Sequence, residues 1–191
     1  MHYAFESEEK VRMMLDNVSR FLRPGGVFIG TIPDATNLLD RLGAIPEGEE
    51  LEFGNSVYKV KFDSRDSTPR YGHRYTFFLE DAVEEVPEYV VYWEEFAQIA
   101  TEYGLTLSFC ADFQQIFAEE RQDPYFSNLL TRMKVVDEQG ETEMNLDQWE
   151  AANLYLGFAF TKEEAGGEEE AESESEEEKG DEDAGESSDD E

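Results

Sequence analysis

The sequence predicts an α/β fold with a disordered acidic tail, and three observations predict it. Near the start, an amphipathic helical stretch runs through Arg23-Pro24-Gly25-Gly26 into the continuous apolar run Val27–Ile32, which together make half of a βαβ unit. Helical and strand-like segments then alternate as far as Thr161. From Glu163 the composition changes: Glu163–Glu191 holds 17 acids and one Lys, with no aromatic and no aliphatic residue larger than Ala. Such a segment cannot bury enough apolar surface to offset the entropy of ordering it. The domain is therefore placed at residues 1–162 and the tail at 163–191.

From Ser7 to Leu22, Val11, Met14, Leu15, Val18, Phe21 and Leu22 recur at helical spacing. Ser7 is the expected N-cap, with Glu8 and Glu9 suited to the first turn. Pro24 and the two glycines stop the helix. Val27–Ile32 reads as a strand buried on both faces of a parallel sheet. Ala35–Leu42 is a short helix and Gly43–Glu50 a loop. Two alternating strands follow, Glu52–Phe62 and Tyr71–Leu79, joined by polar residues 63–70. Val86-Pro87-Glu88-Tyr89 is extended, because proline disfavours helix in the residue before it. Trp93–Tyr103 is helical with Phe96, Ile99 and Ala100 inward, and Gly104 follows at C′. Leu105–Ala111 is a strand, Asp112–Arg121 and Phe126–Val135 are helical, and so is Leu146–Asn153. Leu154–Thr161 is the closing strand. Met1-His2-Tyr3 opens directly into a helix that feeds an interior strand. Such a strand needs partners on both edges, supplied from elsewhere in the chain or from upstream sequence.

The net charge of −32 divides evenly, since residues 1–162 carry 30 acids against 14 bases and the tail adds the other −16. A chain this acidic does not hold nucleic acid by bulk electrostatics, so any nucleotide must be recognised locally. No apolar run approaches the roughly 18 residues of a membrane span, and the amino terminus lacks a secretory pattern. The single Cys110 can build neither a disulfide framework nor a zinc site, which makes a reducing intracellular compartment the default. His73 has no Cys or carboxylate at ligand spacing, so no metal is expected. Lys59, Lys61, Arg65, Arg70 and Arg74 form the one basic cluster, either a contact for phosphates or solvated charges on a two-stranded ribbon. For the tail, a solvated spacer ranks ahead of a polyanion mimic or a contact for basic proteins; Ser173, Ser175, Ser187 and Ser188 lie in the acidic context that acidophilic kinases favour.

Six separated segments carry a family resemblance: HYAFES (2–7), LRPGGVFIGTIPD (22–34), FGNSVYKVKF (53–62), YTFFLEDAV (75–83), VPEYVVY (86–92) and YLGFAF (155–160). In this order they resemble eukaryotic mRNA cap guanine-N7 methyltransferases. The resemblance implies a Rossmann-like, class I methyltransferase fold and S-adenosyl-L-methionine as cofactor. It also implies the capped 5′ end of mRNA as substrate, other capping-apparatus proteins as partners, and the nucleus as location. The family's glycine-rich cofactor loop precedes HYAFES, and residues 1–162 contain nothing like it. The chain thus reads as the C-terminal part of such an enzyme, mainly its guanine-recognising half and inactive alone.

Among the residues carried over, Glu88 is foremost, because the Glu of VPE takes the guanine Watson–Crick edge in this family. His2 and Tyr3 match the pair at the junction of cap and cofactor, His2 towards the guanine and Tyr3 towards the cofactor. Tyr155 matches the terminal tyrosine placed at the cap. Tyr75 and Pro33 are looser candidates for the pocket wall, for which ordinary strand or turn packing is the competing role. Phe5, Phe28, Phe77, Phe158 and Phe160 read as core. The alternative function is a non-catalytic binding module acting through its acidic tail; methylation of another small acceptor is disfavoured by VPEY and YLGFAF together.

Overall fold

The computed structural model describes residues 2–164 other than 67, 69 and 143, with the backbone alone at His2. Beyond Glu164 the acidic tail, with its expected disorder, lies outside the described residues. Glu163, assigned to the tail from composition, belongs to the fold: its N–H donates to the Gly104 carbonyl and its carboxylate accepts from Thr106.

A short 3-10 helix, His2–Glu6, leads into α1, Glu8–Phe21. The Ser7 side chain accepts from the Lys10 N–H, as an N-cap should, and α1 buries Val11 and Leu15. Gly25 turns the chain at φ 69°, into β1, Val27–Pro33. Asp34 then caps α2, Ala35–Ala44, by accepting from the Thr36 N–H. A β-meander follows: β2, Glu52–Gly54; β3, Tyr58–Phe62; β4, Arg74–Leu79; and β5, Val83–Tyr89. After α3, Trp93–Glu102, and β6, Leu105–Asp112, three helices intervene before the last strand. They are α4, Phe113–Glu120; α5, Pro124–Arg132; and α6, Leu146–Ala152; the last strand is β7, Tyr155–Lys162.

The strands form two antiparallel sheets, β1-β7-β6 and β2-β3-β4-β5. This corrects two sequence expectations. First, β1 is neither parallel to a neighbour nor buried on both faces: it pairs with β7 alone, and its other edge is unpaired among the described residues. Phe28, Gly30 and Ile32 face inward, while Val27 is 52% and Ile29 73% exposed. An apolar run announces burial but not what covers each face. Second, Glu52–Phe62 is two strands. Asn55 folds them into a hairpin by accepting from the N–H groups of Val57 and Tyr58. Gly54 sits at φ 153°, where a Cβ would lie 2.2 Å from the Tyr58 carbonyl oxygen, so only glycine allows the approach.

Two cores result. One joins Phe5, Val11 and Leu15 to Phe96, Ile99 and Ala100 of α3 and to the inner face of the three-stranded sheet, Ile32, Leu156, Phe158 and Phe160. The other packs Leu38 and Leu42 of α2 onto Tyr58, Val60, Phe62, Tyr75 and Phe77. Phe28, read as core, is only partly buried, edge-on to Phe158 at 5.4 Å. Helices α4 and α5 bury no residue at all and border an apolar groove of about 510 Å³ with Trp149. No described helix is long and apolar enough to cross a membrane.

Candidate functional site

The site is built where the two sheets meet. Tyr75 of β4 and Glu88 of β5 are direct cross-strand partners, and strand alternation turns both to the inner face. The Tyr75 hydroxyl donates to Glu88 Oε2 at 2.6 Å. Glu88 is 9% exposed and has no ion-pair partner among the described residues, so a nearly buried carboxylate rests on a single phenol donor. Most of its acceptor capacity is uncommitted within the protein.

Pro33, at the end of β1, is registered against Tyr155, at the start of β7. Pro33, Leu38, Val60, Tyr75, Phe77, Leu154 and Tyr155 line one crevice, too tight to hold a water. Phe77 meets the Tyr155 ring edge-on at 6.4 Å, and Phe113 supports it from α4 at 5.9 Å. Electrostatics tie Tyr155 to Glu88: burial first, then the nearby Glu88 charge, push the Tyr155 hydroxyl up to about 12. Tyr75 lies well above its ordinary 10 through burial, the Glu88 charge and the bond to Glu88. Both tyrosines therefore remain neutral donors at physiological pH.

The structure brings together Glu88, Tyr75, Tyr155 and Pro33. The 3-10 helix of His2 and Tyr3 packs beside β5. The His2 side chain lies outside what is described, and Tyr3 is 59% exposed. The basic ribbon does not join the site. Lys59, Lys61 and Arg74 alternate with the inward Tyr58, Val60 and Tyr75 and so point to the opposite face. They pair there with Glu52, Glu50 and Asp63. Arg65 ties down the carbonyls of Leu42, Ile45 and Pro46, and Arg70 lies over the Tyr92 ring while meeting Glu95. Each of these cations thus has a partner within the protein. His73 is likewise spent on packing, buried between the Tyr92 hydroxyl and the Ser64 carbonyl. Among the described residues no His, Cys, Asp and Glu cluster is placed to hold a metal ion.

Sequence reasoning missed Leu38, Val60 and Leu154 as crevice walls and read Phe77 as core alone. Apolar spacing marks burial, and only the register shows which buried face borders a site. A neighbouring network was also invisible: Glu150 of α6 accepts from the Tyr58 hydroxyl at 3.0 Å and from Asn55 at 3.0 Å, and forms an ion pair with Arg41. It anchors the β2–β3 hairpin to α2 and α6, and nothing in the spacing of those residues signals it.

Strands and helices interleave around an antiparallel meander, which makes this an α/β protein with an acceptor carboxylate and aromatic walls gathered at its strand ends. A family model described as "mRNA (guanine-N(7))-methyltransferase domain" matches residues 1–163. The chain belongs to that family. It is 55% identical, over 85% of its length, to an mRNA cap guanine-N(7) methyltransferase of Cryptococcus neoformans var. neoformans serotype D, strain JEC21. It is 47% identical, again over 85% of its length, to one of Schizosaccharomyces pombe. It spans 26% of the first protein and 46% of the second, so it corresponds to less than half of either. Among solved structures, an S-adenosylmethionine-dependent methyltransferase from Clostridium acetobutylicum ATCC 824 superposes at TM-score 0.41 and 13% identity, covering 82% of this chain and 52% of that one. That likeness is too distant to add to the family match.

Proposed function

We propose that this chain is the C-terminal, guanine-recognising part of an mRNA cap guanine-N7 methyltransferase. Its substrate is the capped 5′ end of nuclear mRNA, GpppN, handled alongside other capping-apparatus proteins. The observation that carries the reading is a nearly buried Glu88, held by Tyr75 and close enough to Tyr155 for its charge to raise that hydroxyl, beside the crevice that Tyr75 and Tyr155 share with Pro33.

Guanine N7 has an exposed lone pair, so its alkylation needs no strong base; alignment does most of the work. The task of these residues is to hold the base. Glu88 accepts from guanine N1–H and from the exocyclic amine, a charge-assisted pair of contacts that adenine cannot offer. The same carboxylate opposes the positive charge that grows on the purine as N7 is alkylated. Tyr155 and Pro33 wall the base from opposite strands. As described, the crevice is too tight for a purine ring, so the base lies across its mouth with its Watson–Crick edge towards Glu88. His2 completes the guanine contacts in this reading.

S-adenosyl-L-methionine supplies the methyl group in this family. The residues described here do not form its site: the strand-to-helix turns at Pro33-Asp34 and at Asp112 carry no glycine to approach a nucleotide closely. Tyr3, exposed on the 3-10 helix, could only border it.

The test is binding of GpppG and ApppA to the wild type and to Glu88→Ala, followed by titration calorimetry. The wild type should prefer GpppG by at least about tenfold, as loss of one charge-assisted contact implies. Glu88→Ala should erase the preference. Equal binding of both caps by the wild type would refute the reading.

A further inference from the structure

The pairing of Tyr75 with Glu88 goes further than a pocket wall. The Tyr75 ring is 1% exposed and packs against Phe62 at 5.3 Å, with Phe62 in turn against His73 at 5.1 Å. It is thus fixed from behind by residues that do not border the crevice. The β4–β5 ladder sets Tyr75 directly opposite Glu88, so backbone register, not a flexible reach, fixes the distance between them. The 2.6 Å bond uses the one proton Tyr75 has to give. A hydroxyl already committed to Glu88 has no second proton for a base. Glu88, by contrast, sits in a strand with three side-chain torsions and no other partner among the described residues. Without Tyr75 its carboxylate is free to rotate.

We propose that Tyr75 is a positioning and specificity-determining residue that acts through Glu88: its hydroxyl clamps Oε2 and so presents both carboxylate oxygens in the orientation that the two donors of guanine require. This rests on the guanine reading above and adds a distinct claim. Tyr75 decides how many donors of the base are read, rather than how tightly the base is stacked. The diagnostic ligand is hypoxanthine, which keeps N1–H and lacks the exocyclic amine. A correctly held carboxylate distinguishes the two bases; a rotating one accepts from N1–H alone and does not.

The experiment measures the affinity of the 191-residue chain for GpppG and for IpppI, in which neither purine carries the exocyclic amine, in wild type and Tyr75→Phe. The ring is retained, so packing is preserved. The wild type should favour GpppG by about tenfold, the value of one charge-assisted hydrogen bond. Tyr75→Phe should bring the ratio below about threefold, chiefly through weaker GpppG binding, with IpppI nearly unchanged. A merely structural tyrosine would weaken both ligands together and leave the ratio intact, and that result overturns the proposal. A second measurement needs no ligand. With 13Cζ-labelled tyrosine, Glu88→Gln should lower the titration point of Tyr75, because the Glu88 charge and hydrogen bond both help hold it up. An unmoved Tyr75 would overturn the clamp even if guanine binds. A moved Tyr75 in a chain with no preference for guanine would uphold the clamp and refute the guanine reading.

Discussion

At Gly30 the missing side chain is a structural requirement. The Phe158 ring of β7 lies across this residue, so a Cβ there would stand 2.6 Å from its Cζ. The ring cannot swing away, since Trp93, Phe96 and Phe160 surround it at 5.5 to 5.7 Å. Gly30→Ala is therefore expected to cost about 1–3 kcal/mol, the usual penalty of forcing extra volume into a packed core. Chemical denaturation should show a lower midpoint with an unchanged slope; an unaffected midpoint would mean that the sheet yields there. At the same scale, the site was legible only through motif resemblance. Glu88 is one acid among 47, and nothing in its local spacing distinguishes it. VPEY singled it out. The hydrogen bond to Tyr75 follows from a register between strands that composition does not reveal, which is why Tyr75 read as a wall and not as a clamp.

Among elements, the helices were the most legible, because each carries its own boundary signals. Ser7 and Asp34 cap where short polar side chains precede an apolar period, and Gly104 ends α3 at φ 66°. Helix α5 begins at Pro124, two residues before the expected start, since proline at the first turn with Asp123 as cap is a start signal in itself. Strands were less legible because their partners are remote. Glu52–Phe62 read as one run until Asn55 reversed it, and the single-sided pairing of β1 depends on a strand at the far end of the chain. Helix α6 offers a test. Asn145 and Gln148 form a reciprocal capping box at the start of a helix only seven residues long. Asn145→Ala should cost about 1 kcal/mol. Because Glu150 of the same helix holds Arg41 and Tyr58, the loss should reach the β2–β3 hairpin. Faster amide exchange at Val57 and Tyr58 would report it, and protection unchanged from wild type would show that the hairpin stands without α6.

For the whole molecule, the tyrosines set an alkaline limit. Tyr58 and Tyr155 are raised to about 12, Tyr58 by burial, against the opposing charge of Arg41 and with the help of Glu150, and Tyr75 lies well above 10. In the unfolded chain a tyrosine titrates near 10. The folded state thus keeps protons that the unfolded state releases. The associated stability is complete below pH 10 and is lost progressively as pH rises towards 12. The thermal midpoint should fall steeply between pH 10 and 11.5, and Tyr155→Phe should flatten that fall; identical slopes would contradict the burial of this hydroxyl. Glu150, lowered by its bond to Arg41, acts oppositely, its contribution fading as pH drops below the usual carboxylate range. The pairing of β1 with β7 has a further consequence, for synthesis. Val27 meets Thr161, about 130 positions later in translation. A ribosome delivers the chain from its first residue onwards, so α1 and β1 emerge and wait while the whole β-meander is made. The β1-β7-β6 sheet cannot close before β7 is made, so this pairing spans the longest stretch of chain among the described sheets and is the one that loop-closure entropy slows most.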